Sequence, residues 1–424
     1  MKVLLTTSTL PASDIDAVPA FVKDQVIALK KSHPEIECAV HAPHNFYSKN
    51  AEARQVNNAF HEVRYHYFWP HRLELLAGRG IMPALRQNKL LYAQIPFFVF
   101  FQFTSLFKLV RKEKPDLIYA HWFMPQAITS SLVSKITGIP FMFTTHASDV
   151  SVLHRFPFTK HLVRKVCQRA SVFTAVSPRT SAKLLAFFNP DDWAQNFASK
   201  LEIIPMGTET KLPTSSSTQL AGIRKKYGLP KDKKILLFIG RLAEKKGVTY
   251  LLQAFAELPE NVSANLHLVI AGDGQLLDDL QKQADRLRIK DITFTGYVHG
   301  EEKNALFTLA DLICLPSIVD SQGDSEGFPV VLMEGLAAGK IVLASNASGG
   351  ETILSSGETG FLFTEKSSED LKNVIIQAAS LSQAQSTAIQ AHAKKLAQQF
   401  SWDTISDKHY QILKKVVSEN TAHK

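Results

Sequence analysis

Glu326-Gly327-Phe328-Pro329-Val330-Val331-Leu332-Met333-Glu334-Gly335-Leu336-Ala337-Ala338-Gly339 is the stretch whose reading decides the fold. Pro329 suits the first turn of a helix, where its missing N–H costs nothing. Gly339 suits the C-terminal stop, so a helix of about three turns runs between them. The apolar run 312–315 upstream reads as a short buried strand, which makes the segment a strand, a loop and a helix. Glu334 lies on the helix and Glu326 in the loop before it. The N–H groups of Phe328, Val330 and Val331 point out of the helix start, whose partial positive charge favours an anion. By spacing alone, an amphipathic core helix carrying two surface glutamates reads the same way.

Outward from this stretch, short apolar runs alternate with helical patterns through the chain. Residues 1–6, 38–42, 117–120, 140–145 and 172–176 read as buried parallel strands, with a helical segment at 22–31. A second series follows at 235–239, 266–271, 292–295, 312–315 and 341–344. Two doubly wound α/β domains are implied, joined near residues 205–214, and the Ser/Thr-rich segment 211–219 reads as a loop. A final helix covers about residues 404–417, after Phe400-Ser401-Trp402.

The strand 235–239 ends at Gly240-Arg241, and Lys245-Lys246-Gly247 precedes the helical run 248–258. Ligands of open α/β sheets gather at the carboxyl ends of strands, and here two cations stand beside a helix start. Arg241 is able to grip a phosphate with two parallel hydrogen bonds, and Lys246 offers a point charge. A solvent-exposed basic turn has the same composition. Val269-Ile270-Ala271-Gly272-Asp273-Gly274 runs a strand into a glycine turn without the full dinucleotide fingerprint.

Taken in chain order, these blocks resemble the retaining family-4 glycosyltransferases of the GT-B fold, also called glycosyltransferase group 1. The signature is the Glu326-to-Glu334 spacing with Gly-Phe-Pro inside it. The resemblance covers nearly the whole chain, is strongest between residues 237 and 362, and points toward bacterial enzymes of surface-polysaccharide assembly. It implies two Rossmann-like domains facing a central cleft. Residues 1–205 would bind the acceptor, residues 206–400 the nucleotide-sugar donor, and a C-terminal helix in 401–424 would pack back on the first domain.

The resemblance also implies roles. Gly240, Arg241 and Lys246 would hold the donor diphosphate and neutralise the leaving group, replacing a metal ion. In Phe294-Thr295-Gly296-Tyr297-Val298, Tyr297 and Val298 would meet the base. Gly327, Phe328, Pro329 and Val330 would wrap the sugar and phosphate with main chain, Glu334 would accept hydrogen bonds from the ribose, and Glu326 would bind the transferred sugar. The implied catalytic set is His146, Arg241, Lys246 and Glu326, with no metal and no cofactor besides a UDP- or GDP-linked donor. Gly349-Gly350-Glu351 resembles the family's Gly-Gly block but lacks the two residues usually found before the glutamate.

In the first half, Thr144-Thr145-His146-Ala147-Ser148-Asp149 ends an apolar strand. It resembles the family's His-Gly-Ser-Asp block with Ala147 in place of glycine. That implies His146 near the reacting carbon of the sugar and Asp149 holding the loop; a buried structural histidine is the plainer reading. Tyr119-Ala120-His121-Trp122 resembles a His-Ala-His-Trp block with its first histidine changed to tyrosine, which argues against a metal pair and makes His121 a second candidate. Where family members place glycine before the Phe-Val that opens the first helix, this chain has Asp16-Ala17-Val18-Pro19-Ala20-Phe21-Val22, so an acceptor-specific loop is expected.

Composition bounds the class. A chain of 424 residues, 45% hydrophobic and 21% charged, exceeds one ordinary core and is not that of a disordered protein. Cys38, Cys167 and Cys314 are widely spaced, frame no disulfide set or zinc motif, and indicate a reducing compartment. The apolar stretch at the N-terminus is too short for a secretory signal, so a cytoplasmic protein is expected. Net charge is +9, and the basic excess sits up to Leu212, with 25 Lys and Arg against 15 Asp and Glu.

Without a nucleic-acid-binding signature, that excess points to an anionic membrane surface, an anionic acceptor or merely a solvated face. Residues 90–107 carry no charge but include Gln94, Pro96 and Gln102, and read as a helix rather than a span. Phe97-Phe98-Val99-Phe100-Phe101 is core or dips into a bilayer interface, and Lys160, Arg164, Lys165 and Arg169 would attract anionic lipid. A peripheral enzyme at the cytoplasmic face of the inner membrane, using a glycan or lipid-linked acceptor, is the expectation. Other classes sharing the fold are a nucleotide-sugar epimerase, a phosphorylase and a non-catalytic sugar-nucleotide-binding partner.

Overall fold

Continuously apolar strands require cover on both faces, which parallel sheets obtain from crossover helices. The computed structural model builds two such sheets and describes residues 1–11, 18, 20–44, 59–77, 80–146, 148–151, 153, 159–210, 215–328 and 330–422. The chain divides into two compact units, residues 1–207 with 402–424, and residues 208–401.

The first unit holds β1 (Lys2–Thr6), β2 (Glu37–Pro43), β3 (His61–Tyr65), β4 (Leu117–His121), β5 (Phe141–Thr145), β6 (Phe173–Ala175) and β7 (Leu201–Ile203). All pairs are parallel, in the order β3-β2-β1-β4-β5-β6-β7. One face packs Leu4, Ile118, Phe141, Phe143 and Phe173 against helices that include Ile95–Glu113 and Ile128–Thr137. The other packs Val3, Leu5, Val40 and Leu117 against the helix Phe21–Ser32 and the terminal helix Trp402–Ala422, which contributes Leu413 and Val416.

The terminal helix is longer than the expected 404–417 and starts at Trp402, whose indole covers Gly207. A Cβ on Gly207 would come within 2.2 Å of that ring. In the helix Ile95–Glu113, Phe98, Gln102, Leu106, Leu109 and Val110 form one buried stripe, while Phe97, Phe100 and Phe101 are exposed. The stretch 89–113 is long and apolar enough to cross a membrane, yet its buried stripe is that of a surface helix seated on a sheet.

The second unit holds β8 (Lys234–Ile239), β9 (Leu266–Ala271), β10 (Ile292–Gly296), β11 (Leu312–Leu315), β12 (Ile341–Ser345) and β13 (Phe361–Phe363). They are also all parallel, in the order β10-β9-β8-β11-β12-β13. Three strands were not anticipated: β3, β7 and β13, each at an edge of its sheet. Their sequences, His-Glu-Val-Arg-Tyr, Leu-Glu-Ile and Phe-Leu-Phe, are too polar or too short to show as buried runs.

Two local readings need correction. Residues 217–219 are helical rather than loop, because Ser216 and Gln219 form a reciprocal capping box at the start of the helix Ser217–Tyr227; residues 211–214 lie outside the described set. The helix read between Pro329 and Gly339 spans Val330–Ala337, shorter than three turns, and the chain reverses at Gly339 with φ +65°.

Candidate functional site

In the second unit the strand order turns back between β8 and β11, so the connections leaving their carboxyl ends diverge and open a crevice there. After β8 come Gly240 and Arg241, then a single tight turn, Glu244–Lys246, and the helix Val248–Ala256. After β11 comes the loop 316–328, leading to the helix Val330–Ala337.

The two connections are stitched together. Gly247 has φ +63°, and a Cβ there would lie 1.9 Å from the carbonyl oxygen of Pro316. Ile318 N donates to Lys245 O at 2.8 Å, and the Glu244 carboxylate accepts from both N and Oγ of Ser321 at 2.8 Å. Behind them, a Cβ on Gly272 would meet Gly240 O at 1.8 Å, and Gly272 N donates to Gly296 O at 2.8 Å. Glycine at 240, 272 and 296 thus draws the ends of β8, β9 and β10 together and sets Tyr297 at the same edge of the sheet.

This scaffold gathers charge. Lys246 Nζ lies 3.3 Å from Glu326 Oε1, and Lys245 Nζ lies 3.9 Å from the same oxygen and 3.3 Å from Asp324 Oδ2. Burial alone would raise the Glu326 carboxyl, but Lys246, Lys245 and Arg241 outweigh it and hold the group below its usual range. Burial likewise opposes the charge on Lys245, and Glu326 with Asp324 overcomes it, raising that ammonium above its usual value. Arg241 is exposed, and Gly240 leaves room beside Lys246, whose Nζ would stand 3.8 Å from a Cβ at that position. Gly240, Arg241, Lys246 and Glu326 are therefore brought together by the fold.

Glu334 projects from the first turns of its helix and pairs with Lys303; its Oε2 is buried without a hydrogen-bond partner among the described residues. Gly327 and Phe328 end the preceding loop, with Phe328 near Phe400 at 6.0 Å between ring centroids, and Val330 is partly exposed. Pro329 lies outside the described residues. Tyr297 is exposed, its ring stacked 5.7 Å from His299, whereas the Val298 side chain is buried with Leu229, Leu306 and Phe307 and leaves only its main chain to face a ligand.

Sequence reading assigned no part to Lys303, Glu244 or Asp324. Lys245 was legible as the neighbour of Lys246, but Lys303 comes from the helix Gly300–Leu309, with nothing local to single it out.

In the first unit, His121 ends β4 and His146 follows β5, its neighbour in the sheet. His121 Nδ1 and His146 Nε2 stand 3.3 Å apart, so one imidazole donates and the other accepts. Burial pushes His146 down to about 3 and His121 well below its usual value, which keeps both neutral. Trp122 and Phe21 pack on His146 at 4.9 and 5.1 Å between ring centroids, a contact for Phe21 that sequence reading did not assign.

Asp149 ties the turn, accepting from Phe123 N at 2.6 Å, Thr145 Oγ1 at 3.0 Å and His146 N at 3.1 Å. Trp122 has φ +73°, an unusual value for a side-chain-bearing residue, and its N–H is anchored on Thr144 O at 2.9 Å. Tyr119 is structural: its hydroxyl meets Thr144 Oγ1 at 2.6 Å and His409 Nδ1 at 3.3 Å. Of the first loop, Val18 and Ala20 are described and the helix opens at Phe21, whereas Asp16, Ala17 and Pro19, like Ala147, lie outside the described residues.

Comparison with known proteins agrees with this reading of the fold. Residues 221–395 match the family model "Glycosyl transferases group 1", and residues 51–212 match "Glycosyltransferase Family 4". The chain is 28% identical over 380 residues to the putative teichuronic acid biosynthesis glycosyltransferase TuaC of Bacillus subtilis, covering 88% of each. It is 28% identical over 268 residues to a GDP-mannose-dependent alpha-(1-6)-phosphatidylinositol monomannoside mannosyltransferase of Mycobacterium tuberculosis, covering 62% of this chain and 67% of that one. Among solved structures, Anabaena HepE in complex with UDP-glucose superposes with a TM-score of 0.71 at 20% identity, over 98% of this chain and 100% of the other. With one family model on each half and a GT-B fold throughout, the chain belongs to the group 1, Family 4 glycosyltransferases.

Proposed function

We propose that this enzyme transfers a sugar, with retention of configuration, from a UDP- or GDP-linked donor to a hydroxyl of a glycan or lipid-linked acceptor in surface-polysaccharide assembly. The observation carrying the donor reading is the cationic crevice after β8 and β11, where Arg241, Lys245 and Lys246 surround Glu326. Arg241 and Lys246, with the start of the helix Val330–Ala337, receive the diphosphate; Gly240, Gly327, Phe328 and Pro329 let main chain approach it. Glu326 takes a hydroxyl of the transferred sugar, Glu334 the ribose, Tyr297 and the Val298 main chain the base, and His146 the sugar near its reacting carbon.

In the reaction, the bond from the anomeric carbon to the diphosphate oxygen breaks and a bond to the acceptor oxygen forms on the same face. The acceptor proton passes to the departing diphosphate. Positioning and charge stabilisation by Arg241 and Lys246 supply the catalysis without a metal ion or further cofactor. Glu326, held ionised between lysines, is unsuited to the acid role of a glycosidase carboxyl, which supports binding as its task.

A panel of nucleotide sugars, scored for slow donor hydrolysis and for thermal shift with UDP, GDP and ADP, tests the reading. Unchanged donor binding and turnover in Arg241→Ala and Glu326→Ala would sink the site assignment. Epimerase, phosphorylase and non-catalytic partner readings predict, respectively, an isomerised donor, phosphate-dependent cleavage and binding without turnover.

The same proposal places the enzyme at the cytoplasmic face of the membrane. Exposed Phe97, Phe100, Phe101, Trp69 and Leu90 in the first unit, with exposed Lys160 and Lys165, support peripheral contact. Arg164 is paired with Asp192 at 2.7 Å and adds less to that attraction. Flotation with anionic vesicles that is unaffected by Phe100→Ser with Phe101→Ser would contradict it.

A further inference from the structure

His44 directly follows β2 and His66 directly follows β3, and His44 N donates to Tyr65 O at 2.8 Å, extending the pairing of these strands past their ends. The tight turn His71–Leu73 then brings Glu74 back beneath both histidines. Glu74 is wholly buried. One carboxylate oxygen, Oε1, is fixed by main chain, accepting from Tyr67 N at 2.6 Å and Phe68 N at 3.1 Å. The other, Oε2, faces His44 Nδ1 at 2.7 Å and His66 Nδ1 at 2.9 Å. His71 stacks on His66 at 3.7 Å between centroids, and its Nδ1 donates to Phe68 O at 3.0 Å, which sets the rim of the cluster.

We propose that His44 Nδ1, His66 Nδ1 and Glu74 Oε2 form a binding site for a divalent transition-metal ion, with zinc the best fit, that clamps the carboxyl ends of β2 and β3. The donor set is two imidazole nitrogens and one carboxylate oxygen, all within 4.8 Å of one another, a set that zinc takes with water as fourth ligand. Tetrahedral coordination at about 2.0–2.1 Å places ligand atoms roughly 3.3 Å apart. The observed separations of 2.7 and 2.9 Å are those of the same cluster closed by hydrogen bonds. Opening it takes about half an ångström, within reach of His66 and His44, which are partly exposed, while Glu74 stays fixed by its main-chain donors.

On binding, each imidazole carries its proton on Nε2 and offers Nδ1 to the ion. Arg64 is held by Glu62 and by the carbonyls of Leu10, Pro11 and Pro43. In the sheet, β1 stands between these strands and β4, which carries His121. Sequence analysis named no metal ligand because residues 44, 66 and 74 share no local motif.

The test uses untagged full-length protein, stripped with chelator, loaded with zinc, desalted and assayed by mass spectrometry, with cobalt as a spectroscopic substitute. The expected result is one zinc retained per chain and the intense visible absorption of tetrahedral cobalt. His66→Ala and His44→Ala should each lower zinc affinity at least tenfold, with circular dichroism unchanged, whereas His161→Ala, at an exposed histidine on the helix Thr159–Arg169, should not. Failure of the wild-type protein to retain stoichiometric zinc, or equal retention in the His44→Ala, His66→Ala double variant, overturns the proposal. Should a variant fail to fold, the wild-type stoichiometry and cobalt spectrum decide the matter alone.

Discussion

Lys246 Nζ and Glu326 Oε1 stand 3.3 Å apart, joined from the separate connections that leave β8 and β11. The pair closes the switch point of the second sheet with a carboxylate already neutralised by its surroundings, Lys245 being the second cation. An incoming diphosphate therefore competes with Glu326 for Lys246, while an incoming sugar hydroxyl competes with Lys246 for Glu326.

This competition predicts opposite effects from one substitution. Glu326→Gln should tighten binding of the free nucleoside diphosphate by a few-fold, because an anion is removed beside the phosphate site. It should weaken binding of the intact nucleotide sugar, because the charged acceptor for its hydroxyl is lost. Isothermal titration with both ligands checks this; movement of both affinities in the same direction contradicts it.

Arg241→Ala and Lys246→Ala should each weaken nucleoside diphosphate binding by about 10- to 100-fold, the equivalent of roughly 1.5–3 kcal/mol for a hydrogen bond to a charged group. The same titrations, at fixed low salt, provide the measurement. Affinities within twofold of wild type would remove both residues from the diphosphate site.

Gly247→Ala should destabilise the second unit by at least about 2 kcal/mol, through left-handed backbone strain together with the clash against Pro316 O at 1.9 Å. Urea unfolding is the check. Gly228→Ala shares a positive φ, +64°, but has open space around its Cβ and should cost less. Equal losses at the two positions would show that packing between the two connections is not what Gly247 serves.

These cases explain what was legible beforehand. Central strands such as β1, β4, β8 and β9 announce themselves because both faces are buried and their runs are continuously apolar. Edge strands β3 and β7 do not, since pairing on one side lets His61, Glu62 and Glu202 occur within them. At the site, Arg241, Lys246 and Glu326 were readable because each sits beside a glycine turn at a strand or helix end. Lys303 was not, because its pairing with Glu334 depends on how two helices meet. The same holds for His44 and His66, set side by side by the register of β2 with β3, and for Glu74, returned to them by the turn His71–Leu73.

Acid should destabilise the first unit before the second. His41 and His146 are held at about 3, His409 at about 4 and His121 well below its usual value, burial being the cause in each case. Their unfolded counterparts titrate near 6.5. Below that pH the unfolded state binds more protons than the folded state, so stability falls as pH drops from about 6.5 toward 3. A loss on the order of a few kcal/mol between pH 7 and pH 5, where most carboxylates remain ionised, is the signature. Chemical denaturation at pH 7, 6 and 5, followed by the fluorescence of Trp69, Trp122, Trp193 and Trp402, all in the first unit, reads it out; a flat profile would refute the assignment.

The terminal helix follows the second unit in sequence but belongs to the first unit's core, where Leu413 is fully buried beside Val3, Leu5 and Val40. Leu413→Ala should cost about 2–5 kcal/mol, as for other leucines removed from packed interiors. Because the lost contacts all lie in the first unit, calorimetry should show its transition lowered while nucleoside diphosphate binding, which rests on the second unit's loops, keeps its affinity. His33 stacks on Tyr410 at 3.7 Å and reaches Asp407 at 2.8 Å on the exposed side of the same helix, so His33→Ala provides a milder companion with a loss under about 1 kcal/mol. A Leu413→Ala chain with an unchanged first transition would mean that the helix is held by its surface contacts instead of its buried stripe.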